Sequence, residues 1–80
     1  MDKYSFYIYE IQREFERKYN ILGKEPNAIL LSENIFNVLF YSCKNLLKAT
    51  PLKENGYYKV MGLDVIIVEE DYRIECIIKI

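Results

Sequence analysis

The chain has no histidine and no tryptophan, and only three glycines, two prolines and two cysteines among its 80 residues. Without histidine there is no Ser-His-Asp triad, no Cys-His pair and no histidine-ligated zinc. The hydroxyl residues other than tyrosine are Ser5, Ser32, Ser42 and Thr50, and none sits in a G-x-S-x-G elbow. Gly23, Gly56 and Gly62 are too widely separated to build a phosphate-cradling loop. Cys43 and Cys76 stand in no C-x-x-C spacing and read as reduced, buried small hydrophobes. A disulfide framework would belong to a secreted chain. Met1-Asp2-Lys3 leads into a polar-aromatic helix rather than the apolar centre of a secretory leader. No apolar run approaches the ~18–20 residues of a membrane span. A cytoplasmic protein without membrane attachment is therefore expected.

The dense acidic run Glu69-Glu70-Asp71 matches no calcium-loop spacing and reads as a solvated hairpin turn. No cofactor, no metal and no enzymatic activity are expected. The net charge of -1, with charged residues at 29%, gives no long-range attraction to phosphate backbones, so nucleic acid is not an expected partner.

What is present is apolar and aromatic. Hydrophobic residues make up 51% and aromatic residues 15%, which excludes a disordered tail. Residues 1–80 read as one small domain, burying roughly 60–65% of the surface its unfolded chain exposes.

Asp2 can cap a helix over about residues 3–21, with Tyr4, Ile8, Ile11, Phe15, Tyr19 and Leu22 on one face. Glu10, Arg13, Glu14, Glu16, Arg17 and Lys18 fall on the other, expected in solvent, and Gly23 is a C-cap. Ala28-Ile29-Leu30-Leu31 is apolar on both faces and reads as a buried central strand. Ser32 stops it and can cap a second helix over about 33–47, whose Ile35, Phe36, Leu39, Phe40, Cys43, Leu46 and Leu47 face the core. Residues 49–56 read as a loop, with a turn at Asn55-Gly56. Strands follow at 57–61, at 65–69 after a tight connection through Gly62-Leu63-Asp64, and at 73–80 after a turn at 70–72. The last alternates Ile74, Cys76, Ile78, Ile80 against Arg73, Glu75, Ile77, Lys79. The predicted fold class is α+β, in the order α-β-α-β-β-β, with a small mostly antiparallel sheet and both helices on one face.

The eight tyrosines are the positive signal. Tyr4, Phe6, Tyr7 and Tyr9 crowd the first turns of one helix, and one helix face cannot bury them all; Phe6 and Tyr9 are expected to point away from the core. Exposed tyrosine and arginine are enriched in protein interfaces. Tyr57-Tyr58, on a strand that could accept another chain's strand, is a second candidate patch. The candidate partner-binding residues are Phe6, Tyr7, Tyr9, Arg13, Arg17, Tyr57, Tyr58, Glu69, Glu70 and Tyr72. Their expected ligand is a protein or a second copy of the chain.

Residues 26–69 carry PNAILLSENIFNVL, a variable loop, then GYYKVMGLDVIIVE. This resembles a segment of tailed-phage major capsid proteins, in which a short strand ending in a small polar residue leads to a helix, a loop, a G-x-x-V hairpin and an apolar strand. The matching pieces are Ala28–Ser32, the helix from Glu33, and Met61-Gly62-Leu63-Asp64-Val65, with Asp64 where that pattern commonly has proline. The resemblance implies a phage or prophage origin and a reused capsid-like subdomain, and it brings no catalytic residue. Two functions follow as expectations: a structural or assembly protein that binds itself or a virion component, or a small inhibitor that binds a host defence protein, as anti-CRISPR proteins do.

Overall fold

A computed structural model describes residues 2–47, 53–54 and 56–80, with side chains described for 2–40 and 56–80. The expected inward positions of Cys43, Leu46 and Leu47, and Asn55 of the expected turn, lie outside that description, while Gly56 is a turn residue at φ 85°.

Helix α1 spans Lys3–Leu22. It starts where Asp2 accepts the Ser5 backbone N–H at 2.7 Å, which satisfies one of the unpaired donors of the first turn. It stops at Gly23, in the left-handed region at φ 76°, whose N–H returns to the Tyr19 carbonyl. Strand β1 (Ala28–Ser32) leads directly into α2 (Glu33–Leu47). A two-residue strand β2 (Lys53–Glu54) pairs with β3 (Tyr57–Val60), followed by β4 (Leu63–Val68) and β5 (Ile74–Ile77).

The sheet order is β2-β3-β4-β1-β5. β1 lies inside the sheet next to the edge strand β5, parallel to β4 and antiparallel to β5, with Ile29 opposite Val65 on one side and Cys76 on the other. This is a mixed sheet in an α+β domain, antiparallel everywhere except at the β1–β4 pair. A strand flanked on both edges and apolar on both faces is what Ala28–Leu31 predicts, and four of the five β1 residues are buried.

Both helices lie on one face of the sheet. The core joins Ile11 of α1, Ile35, Phe36 and Leu39 of α2, Ile29 and Leu31 of β1, Leu63 and Val65 of β4 and Cys76 of β5. Phe36 stacks on Phe40 at 4.4 Å between ring centroids, and Tyr58 closes the cluster at 5.1 and 5.6 Å from them. Each such side chain contributes roughly 1.5–3 kcal/mol by burial.

Several expectations are corrected. The tight connection after β3 is Met61-Gly62, not Gly62-Leu63-Asp64: both residues have positive φ, 50° and 81°, as a two-residue hairpin turn requires, and Leu63 already pairs with Val60. The segment 69–73 is not a hairpin turn. β1 is inserted between β4 and β5, so the chain crosses the end of β1, a gap of roughly 10 Å that five residues span easily. The last strand ends at Ile77 rather than Ile80, which is fully exposed. Beyond it, the Asn27 side chain imitates a backbone neighbour: its amide N–H donates to the Lys79 carbonyl at 2.9 Å and its oxygen accepts the Lys79 N–H at 2.6 Å. The Ser32 hydroxyl, expected to cap α2, is buried without a hydrogen-bond partner among the described residues. Tyr19 and Leu22 are exposed, because the final turn of α1 carries their side of the apolar stripe past the packed core.

The largest correction concerns the charged side of α1. Glu14 and Lys18 keep only 10% and 16% of their side-chain surface exposed. Cys76 turns its backbone away from β1. Glu14 accepts its N–H at 3.0 Å and Lys18 donates to its carbonyl at 3.0 Å. A Glu-Lys pair one helical turn apart thus takes the place of a neighbouring strand along the β5 edge.

Candidate functional site

That double anchorage fixes α1 alongside β5 and leaves a groove between the helix and the segment that enters β5. Glu10, Arg13, Glu14 and Arg17 line it from α1, and Tyr72 and Ile74 line it from the other wall. Glu14 belongs to both sides of the arrangement. One carboxylate oxygen holds Cys76, and the other accepts the Arg17 side chain, with Nε at 2.9 Å and Nη2 at 2.8 Å. Arg17 is held against its own helix in this way while its side chain stays 57% exposed.

Arg13 is placed differently. Its guanidinium carbon lies 5.8 Å from the centroid of the Tyr9 ring, within cation–π range. Among the described residues neither Arg13 nor Glu10 has an ion-pair partner. Glu10 lies near Tyr72; burial first, then the charge of Glu10, raises the Tyr72 phenol above its ordinary value, so the hydroxyl stays protonated as a donor. Phe6 meets Tyr7 edge-on at 5.6 Å, and Tyr7 packs against the core. Phe6, Tyr9 and Tyr72 are 42%, 50% and 55% exposed.

The structure therefore brings six of the sequence-predicted residues to one side of the molecule: Phe6, Tyr7, Tyr9, Arg13, Arg17 and Tyr72. The other four lie elsewhere. Tyr57 and Tyr58 do not form a patch, because strand alternation sends them to opposite faces. Tyr58 enters the aromatic core cluster. Tyr57 lies on the helix-free face, where the Lys79 ammonium sits 3.9 Å from its ring centroid. Glu70 is clamped by Arg73, whose Nη1 donates to both carboxylate oxygens at 2.8 Å and whose Nη2 bonds Glu75. Glu69 borders a separate depression with Glu33, Asn34, Asn37 and Asp71.

Sequence reasoning missed two groups. Glu10 completes the groove, and its spacing of four residues from Phe6 and three from Arg13 was the available signal. On the helix-free face, Asp64 pairs with Lys59 and, at 2.7 Å, with Lys79. These two ammonium groups hold the Asp64 carboxyl below the usual aspartate value. Lys59 and Asp64 face each other across the β3–β4 hairpin, but Lys79 comes from beyond β5, so local spacing announces only the first pair.

The Cys76 thiol is fully buried, and burial pushes its pKa up to about 11, aided by the charge of Glu14. It is a core side chain, not a nucleophile. Among the described residues no helix is long and apolar enough to cross a membrane. Searches of protein-family models, curated proteins and solved structures found no match to this chain.

Proposed function

We propose that this chain works by protein–protein contact through the exposed side of α1 and the adjoining Tyr72. The observation that carries this reading is the concentration of Phe6, Tyr9 and Tyr72 around Arg13, a guanidinium without a carboxylate partner among the described residues. Large aromatic rings exposed beside arginine are the composition of interface centres, where each offers wide contact area and a polar handle. The sequence supports a non-catalytic role, since it has no histidine. The resemblance of residues 26–69 to a capsid segment supports a structural or assembly role of phage type within the cytoplasm of a host cell. In that role α1 supplies the contact.

The acidic depression bordered by Glu33, Glu69 and Asp71 favours a second reading, an inhibitor that presents acidic groups to a host protein. Photo-crosslinking separates the two. A photoreactive residue in place of Tyr9 or Tyr72 is expected to give a discrete protein adduct, either with the chain itself or with another protein. The same group at Ile67, which is exposed elsewhere, is expected to give none. Adducts from residue 69 or 71 alone would favour the inhibitor. No adduct from any of these positions would remove the contact reading.

A further inference from the structure

The outer side of α1 carries a stripe whose spacing is the same from both ends and whose charges are opposite. Phe6, Glu10, Arg17 and Ile21 are separated by four, seven and four residues, intervals that keep them on one side of a helix. The order is apolar, acidic, basic, apolar. Phe6 is 42% exposed and Ile21 is 64% exposed, more than any other large hydrophobic residue of the helix. Nothing in the core accounts for either. Glu10 has no ion-pair partner among the described residues, and Arg17 projects from the surface beyond its contact with Glu14.

We infer that the partner of this surface is a second copy of the chain, docked by antiparallel pairing of α1 with α1 about a two-fold axis between Arg13 and Glu14. The inference rests on the contact reading of the α1 face. A rotation of 180° about that axis places Glu10 against Arg17 of the second copy, and Arg17 against its Glu10. Phe6 meets Ile21 of the second copy at both ends, and the axis passes beside Arg13, which has no ion-pair partner among the described residues. Symmetry makes every favourable contact occur twice, as in any isologous interface. Parallel pairing would instead place Glu10 on Glu10 and Arg17 on Arg17, so charge selects the antiparallel arrangement. A foreign partner would need the complementary order by coincidence; a second copy has it by construction.

A 20-residue helix is about 30 Å long, and two such helices packed side by side bury an area at the small end of specific interfaces. The dimer is therefore weak and concentration-dependent. Sedimentation equilibrium of the full chain up to about 1 mM is expected to show reversible monomer–dimer exchange. Glu10→Lys and Arg17→Glu each turn two opposite-charge contacts into like-charge ones and are expected to weaken association about tenfold or more. An equimolar mixture of the two single variants is expected to recover wild-type association as a heterodimer, because both charge pairs are restored across it. Glu10→Gln, which leaves the helix intact, is expected to weaken association about threefold, and circular dichroism confirms that each variant is folded.

A chain that stays monomeric over this range overturns the inference, as does unchanged association of Glu10→Lys or no recovery in the mixture. The contact reading stands or falls separately: a monomer that still gives an adduct with a different protein from residues 9 and 72 keeps that reading and removes self-pairing.

Discussion

Glu14 and Cys76, 62 positions apart in the chain, meet through a carboxylate oxygen that accepts a strand-edge N–H at 3.0 Å. A helix side chain does here what a neighbouring strand normally does. The other oxygen of the same carboxylate holds Arg17 at the groove, so one residue ties the sheet edge to the candidate contact surface.

Glu14→Ala removes a charged acceptor from a largely buried backbone donor. It is expected to cost about 1–3 kcal/mol in urea unfolding. Glu14→Gln keeps an acceptor oxygen and is expected to cost less. Lys18→Met removes the donor to the Cys76 carbonyl and is expected to cost about 1 kcal/mol. Equal stability of wild type and Glu14→Ala would mean that the edge is not held in this way.

Tyr57 and Tyr58 are expected to respond unequally to truncation. Tyr58→Ala opens the cluster of Phe36 and Phe40 and is expected to cost about 3 kcal/mol or more. Tyr72→Ser, on the exposed groove wall, is expected to stay within about 0.5 kcal/mol. Tyr57→Ala lies between them. Thermal melts of the three variants read the order directly.

Met61 is the one described residue other than glycine with positive φ. Its side chain is exposed and gains little from packing, while its backbone carries the cost of the left-handed region. Met61→Asn gives the turn the residue type it favours and is expected to stabilise the fold by about 0.5–1 kcal/mol. A loss of stability would show that the Met61 side chain makes a contribution its exposure conceals.

The carboxyls of Asp64 and Glu75 both titrate below their ordinary values in the folded chain, Asp64 through Lys59 and Lys79, and Glu75 chiefly through Arg73. A carboxyl whose folded pKa lies below its unfolded value stabilises the fold above the unfolded value. It loses that contribution as the pH falls through the folded one. Wild type is therefore expected to lose stability on the acid side of the ordinary carboxylate range. Asp64→Asn is expected to be less stable near neutrality and to show a flatter acid profile. Denaturant midpoints measured across the acid range test this; parallel profiles for the two proteins would rule it out.

Element identity was legible where local chemistry alone decides it. Ala28–Leu31 offers no polar residue to a wet face, so its central place follows from the residues themselves. Asp2 and Gly23 mark the ends of α1 because the first turn needs an acceptor and the last needs a left-handed residue. Strand order was not legible. The run from Glu69 to Arg73 has the composition of a hairpin turn, and only the insertion of β1 between β4 and β5 makes it a crossover. The exposed side of α1 was visible in Phe6, Tyr9, Arg13 and Arg17, since more aromatic side chains crowd that helix than its inner face can bury. Glu14 and Lys18 were assigned to solvent with the other charges of α1. Their role depends on a strand edge supplied by residue 76, which helical periodicity cannot reveal.

The Asn27 clamp on Lys79 and the Glu14–Cys76 bond share a consequence for the order of assembly. Both join segments more than 50 residues apart, and β5 has no neighbour in the sheet except β1. During synthesis, α1, β1 and α2 leave the ribosome well before the segment that seats α1. Until β5 arrives, β1 has an open edge and the inner face of α1 has no strand beneath it. Long-range closure of this kind slows folding. It also gives the nascent chain an interval in which another copy's β5 could occupy the gap, a route to strand exchange between neighbouring chains on one messenger.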